Sequence, residues 1–392
     1  MQRKYRDLYN RLLTPDKYDQ INQEVAERCG ITPTFRIGET PVFLEPELWD
    51  QLLTASRQLL DYIGNPAFKG ITEGAMLPGT KVPNETPHPH MVAMDFGICE
   101  TADGSIVPKL IEMQGFPTVS AFQYQLLKSY QSAIPEIAHL SPFMEVSEEE
   151  YISMLRSILG KKNTILMDVK PERQNTYVDF KATELMFGVP SVCVSDIQKS
   201  GQDLYYKDAD GKLKDIDYIF NRVIFDELLQ RTDLKLNFSF FEELNMNWIS
   251  HPNWYFRISK YTMPYMDFDF VPRSSYISDL KEIPNDLENF ILKPLYSFSG
   301  QGVQMDITEE DILAVDKKAE WLLQEKVHYA PIIEAPDGKV KFEVRVVALW
   351  PDELEKPVIV FNIVRMTKGA MVGVKYNKDK AWVGSSVALL VP

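Results

Sequence analysis

Four groups of residues in this 392-residue chain have types and spacings that suggest chemistry. Lys293-Pro294 ends the apolar run Phe290-Ile-Leu and leads into Ser297-Phe-Ser299-Gly300-Gln-Gly302. A lysine there sets a fixed cation above a small loop. Gly300 and Gly302 let backbone N–H groups approach a phosphate closely, and Ser297 and Ser299 add hydroxyl donors. No GK[ST] follows, so this is not a Walker A loop, and it is not a GxGxxG fingerprint. Alone, the segment also fits an ordinary strand-to-hairpin turn. Gln324-Glu325-Lys326-Val327 is a short strand end carrying a carboxylate. With its backbone groups exposed on both sides it would read an adenine edge; a half-buried edge strand with a solvated Glu325 has the same pattern.

The third group is Asp95, Glu112 and Gln114. The turn signal Ala102-Asp-Gly-Ser105 makes Met91–Ile98 and Val107–Gln114 antiparallel neighbours. Glu112 and Gln114 are two apart and share one strand face. Acids inside apolar runs need partners, and here Met91-Val-Ala-Met94 and Leu110-Ile-Glu-Met113 flank them. Three converging oxygen donors suit Mg²⁺, with phosphate oxygens completing the shell; solvated acids on an outer face are the plain alternative. The fourth group is Arg222, Arg345 and Arg365, each in an apolar strand-like run. Arginine suits bidentate binding of carboxylate or phosphate; Arg345 paired with Glu343 on its own strand is the structural alternative. His88-Pro-His90 reads as a structural pair, and no GxSxG motif or distinctive cysteine setting supports nucleophilic catalysis.

The elements that must position these groups follow from composition and rhythm. The hydrophobic fraction is 45% and the charged fraction 25%, so a long chain can bury an ordinary core. Lys plus Arg total 42 against 56 Asp plus Glu, a formal charge of −14, which disfavours nucleic-acid binding and leaves anionic ligands to local basic clusters. Cys29, Cys99 and Cys193 form no disulfide framework, and no signal peptide or membrane span is visible, so a soluble cytoplasmic protein is expected. Residues 1–65 read as helical, with a stripe Leu48, Leu52, Leu53, Leu59 and Leu60, and 66–90 as a loop. A helix follows over about 118–133. Residues 146–245 alternate helices and strands, opened by the capping box Ser147…Glu150, and predict a parallel open sheet. Residues 246–392 are richer in strands. The expected class is α/β (α+β), divided at 1–145, 146–245 and 246–392.

Taken in order, Lys260 in Arg257-Ile-Ser-Lys260, Lys293-Pro294 with its glycine loop, and Gln324-Glu325-Lys326-Val327 resemble an ATP-grasp nucleotide site. Asp95 followed by Glu112-Met-Gln114-Gly115 is similar to the Asp…Glu-x-Asn magnesium ligands of permuted ATP-grasp proteins. These include eukaryotic-type glutathione synthetase, the synthetase domain of glutathionylspermidine synthase and the circularly permuted ATP-grasp family. Phe187-Gly-Val-Pro190 and Asp217-Tyr-Ile-Phe-Asn-Arg222 resemble that family's inserted pre-ATP-grasp segments, and Gly369–Gly373 with Val383–Ser386 its glycine-rich tail. The resemblance spans about 90–392, with Gln114 standing where the family has Asn. It implies a permuted ATP-grasp fold with an inserted Rossmann-like domain: 1–145 holds the helical segment and metal strands, 146–245 the insert and 246–392 the nucleotide-binding region. It further implies ATP and Mg²⁺ as cofactors, with Lys260 and Lys293 on phosphates, Ser297, Ser299, Gly300 and Gly302 in a covering loop, and Gln324, Glu325 and Val327 at adenine. Asp95, Glu112 and Gln114 would hold the metal, with Arg222, Arg345 and Arg365 at the reacting groups. The implied reaction is ligation of a small-molecule carboxylate to an amine through an acylphosphate. A non-ligating ATP-binding protein or a kinase on the same scaffold is the alternative, and the oligomeric state and both substrates stay open.

Overall fold

Three helices open the chain: α1 (Arg3–Leu12), α2 (Pro15–Cys29) and α3 (Pro46–Ile63). The structure, a computed structural model, describes all residues except 1–2, 226–227, 229–230, 297–300, 370–371, 373–376 and 378. Proline begins α2 and α3, where no N–H partner is needed. α3 buries Leu48, Leu52, Leu59 and Leu60, the stripe expected from spacing, while Leu53 is half-buried. The reading of 1–65 as helical needs one correction. Val42–Leu44 is a short strand, β1, paired in parallel with Ala388–Leu390. Three consecutive buried apolar residues fit a strand covered on both faces.

β2 (Met91–Glu100) and β3 (Ile106–Gln114) form the expected hairpin, and α4 (Ser120–Ala133) follows. α5 (Glu148–Leu159) carries the capping box, with Ser147 accepting from the Glu150 N–H and Glu150 from the Ser147 N–H. Then come β4 (Thr164–Asp168), α6 (Tyr177–Phe187), β5 (Ser191–Cys193), the antiparallel meander β6 (Gln198–Ser200), β7 (Asp203–Lys207) and β8 (Leu213–Ile216), β9 (Tyr218–Asn221) and β10 (Asn247–Ile249). β10, β9, β4 and β5 lie side by side, all parallel, as the alternating rhythm predicts.

The last part adds α7 (Pro252–Arg257), β11 (Ser274–Tyr276), β12 (Phe290–Pro294), β13 (Trp321–Glu325), β14 (Ile333–Ala335), β15 (Gly338–Leu349), β16 (Val358–Thr367), β17 (Gly384–Ser386) and β18 (Ala388–Leu390). β13 runs between β11 and β12. The expected helix at 308–317 is only Glu309–Leu313, capped by Thr308.

The largest sheet has the order β17-β16-β15-β2-β3, with β14 beside β15. It joins strands from the first third of the chain to strands from the last. Strand alternation divides its two faces. Val92, Met94, Phe96, Val344, Val346, Val364 and Met366 pack with α3 in one apolar cluster. On the other face Val347, Phe361 and Ile363 pack with Phe122 and Leu126 of α4, and Asp95, Glu343, Arg345 and Arg365 share that face. Among the described residues, no helix is long and apolar enough to cross a membrane.

The segment 66–90, expected as a loop, contains short helical turns at Phe68–Ile71 and Glu73–Ala75 and is clamped onto α7. Arg257 is 2% exposed and donates to Glu85, Glu73 and the Lys69 carbonyl. His251 is fully buried; its Nδ1 accepts from the Asn253 N–H at 3.2 Å, so its Nε2–H donates to the Pro83 carbonyl at 2.9 Å. Burial pushes its pKa down to about 4. The folded value lies below the unfolded one of about 6.5, so this ring costs nothing above that pH and destabilises progressively as pH falls toward 4. The stability advantage of wild type over His251→Asn should therefore shrink by about 3 kcal/mol between pH 7 and pH 4, read from urea unfolding at each pH.

Candidate functional site

The charged face of the large sheet is built by register. Asp95 on β2 lies opposite Arg345 on β15 and opposite Glu112 on β3. Glu343 lies opposite Arg365 on β16. Directly opposed side chains are closer than residues two apart on one strand, so pairing runs across strands. Arg345 grips Asp95 with two hydrogen bonds, Nε to Oδ1 at 2.6 Å and Nη2 to Oδ2 at 2.7 Å. Arg365 Nη2 adds a third at 2.5 Å and also meets Glu343. This corrects the expected alternative of Arg345 with Glu343: Arg345 takes Asp95, and Glu343 takes Arg365.

Burial opposes the Asp95 charge, but Arg345 and Arg365 outweigh it and hold the carboxyl below its ordinary range. Burial raises Glu343, with Arg365 working against it. Tyr329 donates its hydroxyl to Glu343 at 2.9 Å. Asp95 is 1% exposed, with both oxygens committed to arginines. Glu112 and Gln114 line the neighbouring pocket, and the Gln114 Nε2–H donates to Glu112 Oε1 at 2.5 Å.

That pocket is also lined by Ser259, Lys260, Leu295 and Tyr296. Gly115 brings the end of β3 against the segment that carries Lys260. A Cβ at Gly115 would stand 2.3 Å from the Trp254 carbonyl oxygen, so only glycine lets the end of β3 lie against α7. The Gly115 N–H then donates to the Ile258 carbonyl, fixing the turn that Lys260 begins. Lys260 is 7% exposed and its ammonium lies 3.5 Å from the Leu295 carbonyl.

Lys293, 8% exposed near the end of β12, belongs to the same neighbourhood. Burial pushes its pKa down to about 8; Glu112 and Glu343 oppose this, and Lys260 adds to it. Its ammonium donates to Gln324 Oε1 at 2.6 Å. Of the expected covering loop, Ser297, Ser299 and Gly300 lie outside the described residues. Gly302 has φ 75°, and a Cβ there would press to 3.0 Å on Pro294, so Gly302 itself lies against Pro294.

The expected adenine hinge differs in detail. β13 is flanked by β11 and β12, so it is a central strand and its backbone is not open on both sides. The Glu325 N–H donates to the Arg273 carbonyl and the Lys326 N–H to the Asn289 carbonyl. The Glu325 carboxylate is held by Arg273 Nε at 2.6 Å, and Val327 packs against Gly97 of β2.

Arg222 extends from the end of β9 to the charged face. Its Nη1 donates to the Thr118 carbonyl at 3.0 Å, and the Thr118 hydroxyl accepts from Arg345 at 3.2 Å. Asp179 lies 3.7 Å from Arg222 and accepts from the Phe122 N–H at the start of α4. Burial raises Asp179 to about 6, against the pull of Arg222. Thr118, Asp179 and Tyr329 escape a reading by motif: one precedes a helix and the others carry no spacing signal. His88 stacks on Trp350 and His90 Nε2 meets Asp352 at 3.0 Å, a structural arrangement as expected.

The donors present fit Mg²⁺ in its usual protein setting of one or two side-chain oxygens, the rest coming from phosphate and water. Glu112 supplies such an oxygen, Gln114 supplies a second once its amide turns its oxygen in place of the Nε2–H that now meets Glu112, and Lys260 and Lys293 supply the cations a triphosphate requires. Among the described residues, no three His, Cys, Asp or Glu side chains converge to hold a metal alone.

No family model and no curated protein matches the chain. Among solved structures, it is similar to a glutathione synthetase-like effector from Globodera pallida in its apo form, with a TM-score of 0.57 at 11% identity over 96% of this chain and 99% of that one. At that identity the likeness is one of fold, and this chain therefore has a mixed α/β, glutathione synthetase-like fold.

Proposed function

We propose that the chain is an ATP- and Mg²⁺-dependent ligase that joins a carboxylate to an amine, on a permuted ATP-grasp scaffold with an inserted α/β domain at 146–245. One observation carries this reading: Glu112 and Lys260, far apart in sequence, line one pocket, and both act electrostatically on the buried Lys293. A carboxylate would take the γ-phosphoryl group of ATP, releasing ADP, and an amine would then displace phosphate from the acylphosphate, losing its proton to solvent. Mg²⁺ held by Glu112 and Gln114 would neutralise phosphate charge. Lys260 and Lys293 bind and align the phosphates. Arg365 keeps a 37% exposed side chain on the charged face and meets the transferred group, while Arg345 and Arg222 hold the substrate carboxylate with Thr118 between them.

Lys293→Ala is expected to weaken ATP binding by about 1.5–3 kcal/mol, the worth of a charge-assisted contact, with little change in stability. Calorimetry decides it, and unchanged affinity moves the nucleotide elsewhere. ADP release that requires a carboxylate and an amine together identifies the ligase; release with a carboxylate alone identifies a kinase.

A further inference from the structure

Gln324 occupies a position with no freedom. It is 1% exposed and lies directly opposite Ser274 on β11. Its Nε2 donates to Ser274 Oγ at 2.8 Å, and the Ser274 hydroxyl donates to the Pro272 carbonyl at 3.0 Å. Its Oε1 accepts from the Lys293 ammonium at 2.6 Å. A carbonyl at one end only accepts and an ammonium at the other only donates, so the polarity of the whole chain is set and the amide cannot turn over. With both ends of the amide held and the side chain 1% exposed, Gln324 presents no open face to a nucleobase. One of the three ammonium N–H groups of Lys293 is tied, and two remain for an anionic ligand.

We infer that Gln324 is a positioning residue: it acts on the nucleotide phosphates through Lys293 and does not touch the base. This rests on the nucleotide reading above. Glu112, Lys260 and Glu343 are the other charged groups acting on Lys293, and all three belong to elements other than β12 and β13. Gln324 is therefore the neutral group within the small sheet that holds the ammonium in place.

The test compares ATP with adenosine, which lacks phosphates, by calorimetry on the full chain with Mg²⁺. Gln324→Met keeps the length and removes the acceptor. ATP affinity should fall about tenfold and adenosine affinity stay within about twofold. The double variant with Lys293→Ala should bind ATP no more weakly than Lys293→Ala alone, because both act through one contact. Equal losses of ATP and adenosine, or additive losses in the double variant, overturn the inference. Should Gln324→Met not fold, Gln324→Glu tests the same contact. Its carboxylate would capture Lys293 and lower ATP affinity without changing adenosine affinity, and an unchanged ATP affinity overturns the inference. If Lys293→Ala leaves ATP binding intact, the nucleotide reading itself fails. If Lys293→Ala weakens ATP and the Gln324 variants do not, only the role of Gln324 fails.

Discussion

Glu112→Gln should weaken metal binding to the nucleotide complex by about a hundredfold or more while leaving the fold intact. Glutamine has the same shape, and Glu112 is half-buried at a pocket, so no cavity opens and no hydrophobic contact is lost. What disappears is the carboxylate beside Gln114, which an amide oxygen replaces weakly for a hard cation. The same charge supports Lys293 against burial, so its loss should also make that ammonium easier to deprotonate. Mn²⁺ titration by electron paramagnetic resonance, with a non-hydrolysable ATP analogue present, reads the metal directly and needs no knowledge of the substrates. Normal Mn²⁺ affinity in Glu112→Gln would remove Glu112 from the metal shell.

The hairpin of β2 and β3 was legible because both signals are local. Apolar runs of strand length flank an Asp-Gly turn, and the structure puts the strand ends within a few residues of the expected ones. The helix at 177–187 and the parallel sheet were legible for the same reason. The site was legible only as a set of residue types. Its geometry depends on β2 pairing with β15, across about two-thirds of the chain, and no periodicity carries that information. β13 shows the cost. Its composition fits an edge strand, and the pairing of Ser274–Tyr276 makes it central, closing the backbone groups that a hinge would need. Asp95 shows the same limit more sharply. An acid in an apolar run demands a cationic partner, and a metal ion and a pair of arginines satisfy that demand equally well until the register is known.

Asp95→Asn therefore separates two accounts of one residue. If Asp95 anchors Arg345 and Arg365, the substitution keeps the shape and leaves two guanidinium groups facing a neutral amide at 1% exposure. Removing one member of a buried charge network is expected to cost about 3–5 kcal/mol, because the remaining charges stay desolvated without their partner. Arg365 retains Glu343, so part of the loss is absorbed there, and Arg345 carries most of it. Adding Arg345→Met to Asp95→Asn should then recover stability relative to Asp95→Asn alone, a coupling that independent sites would not show. Mn²⁺ affinity in the nucleotide complex should stay near the wild-type value in the folded Asp95→Asn protein. Urea unfolding and the Mn²⁺ titration together decide the matter. A variant that keeps its stability and loses metal would return Asp95 to the metal shell, and the arginine clamp would then be a consequence of the site and not its foundation.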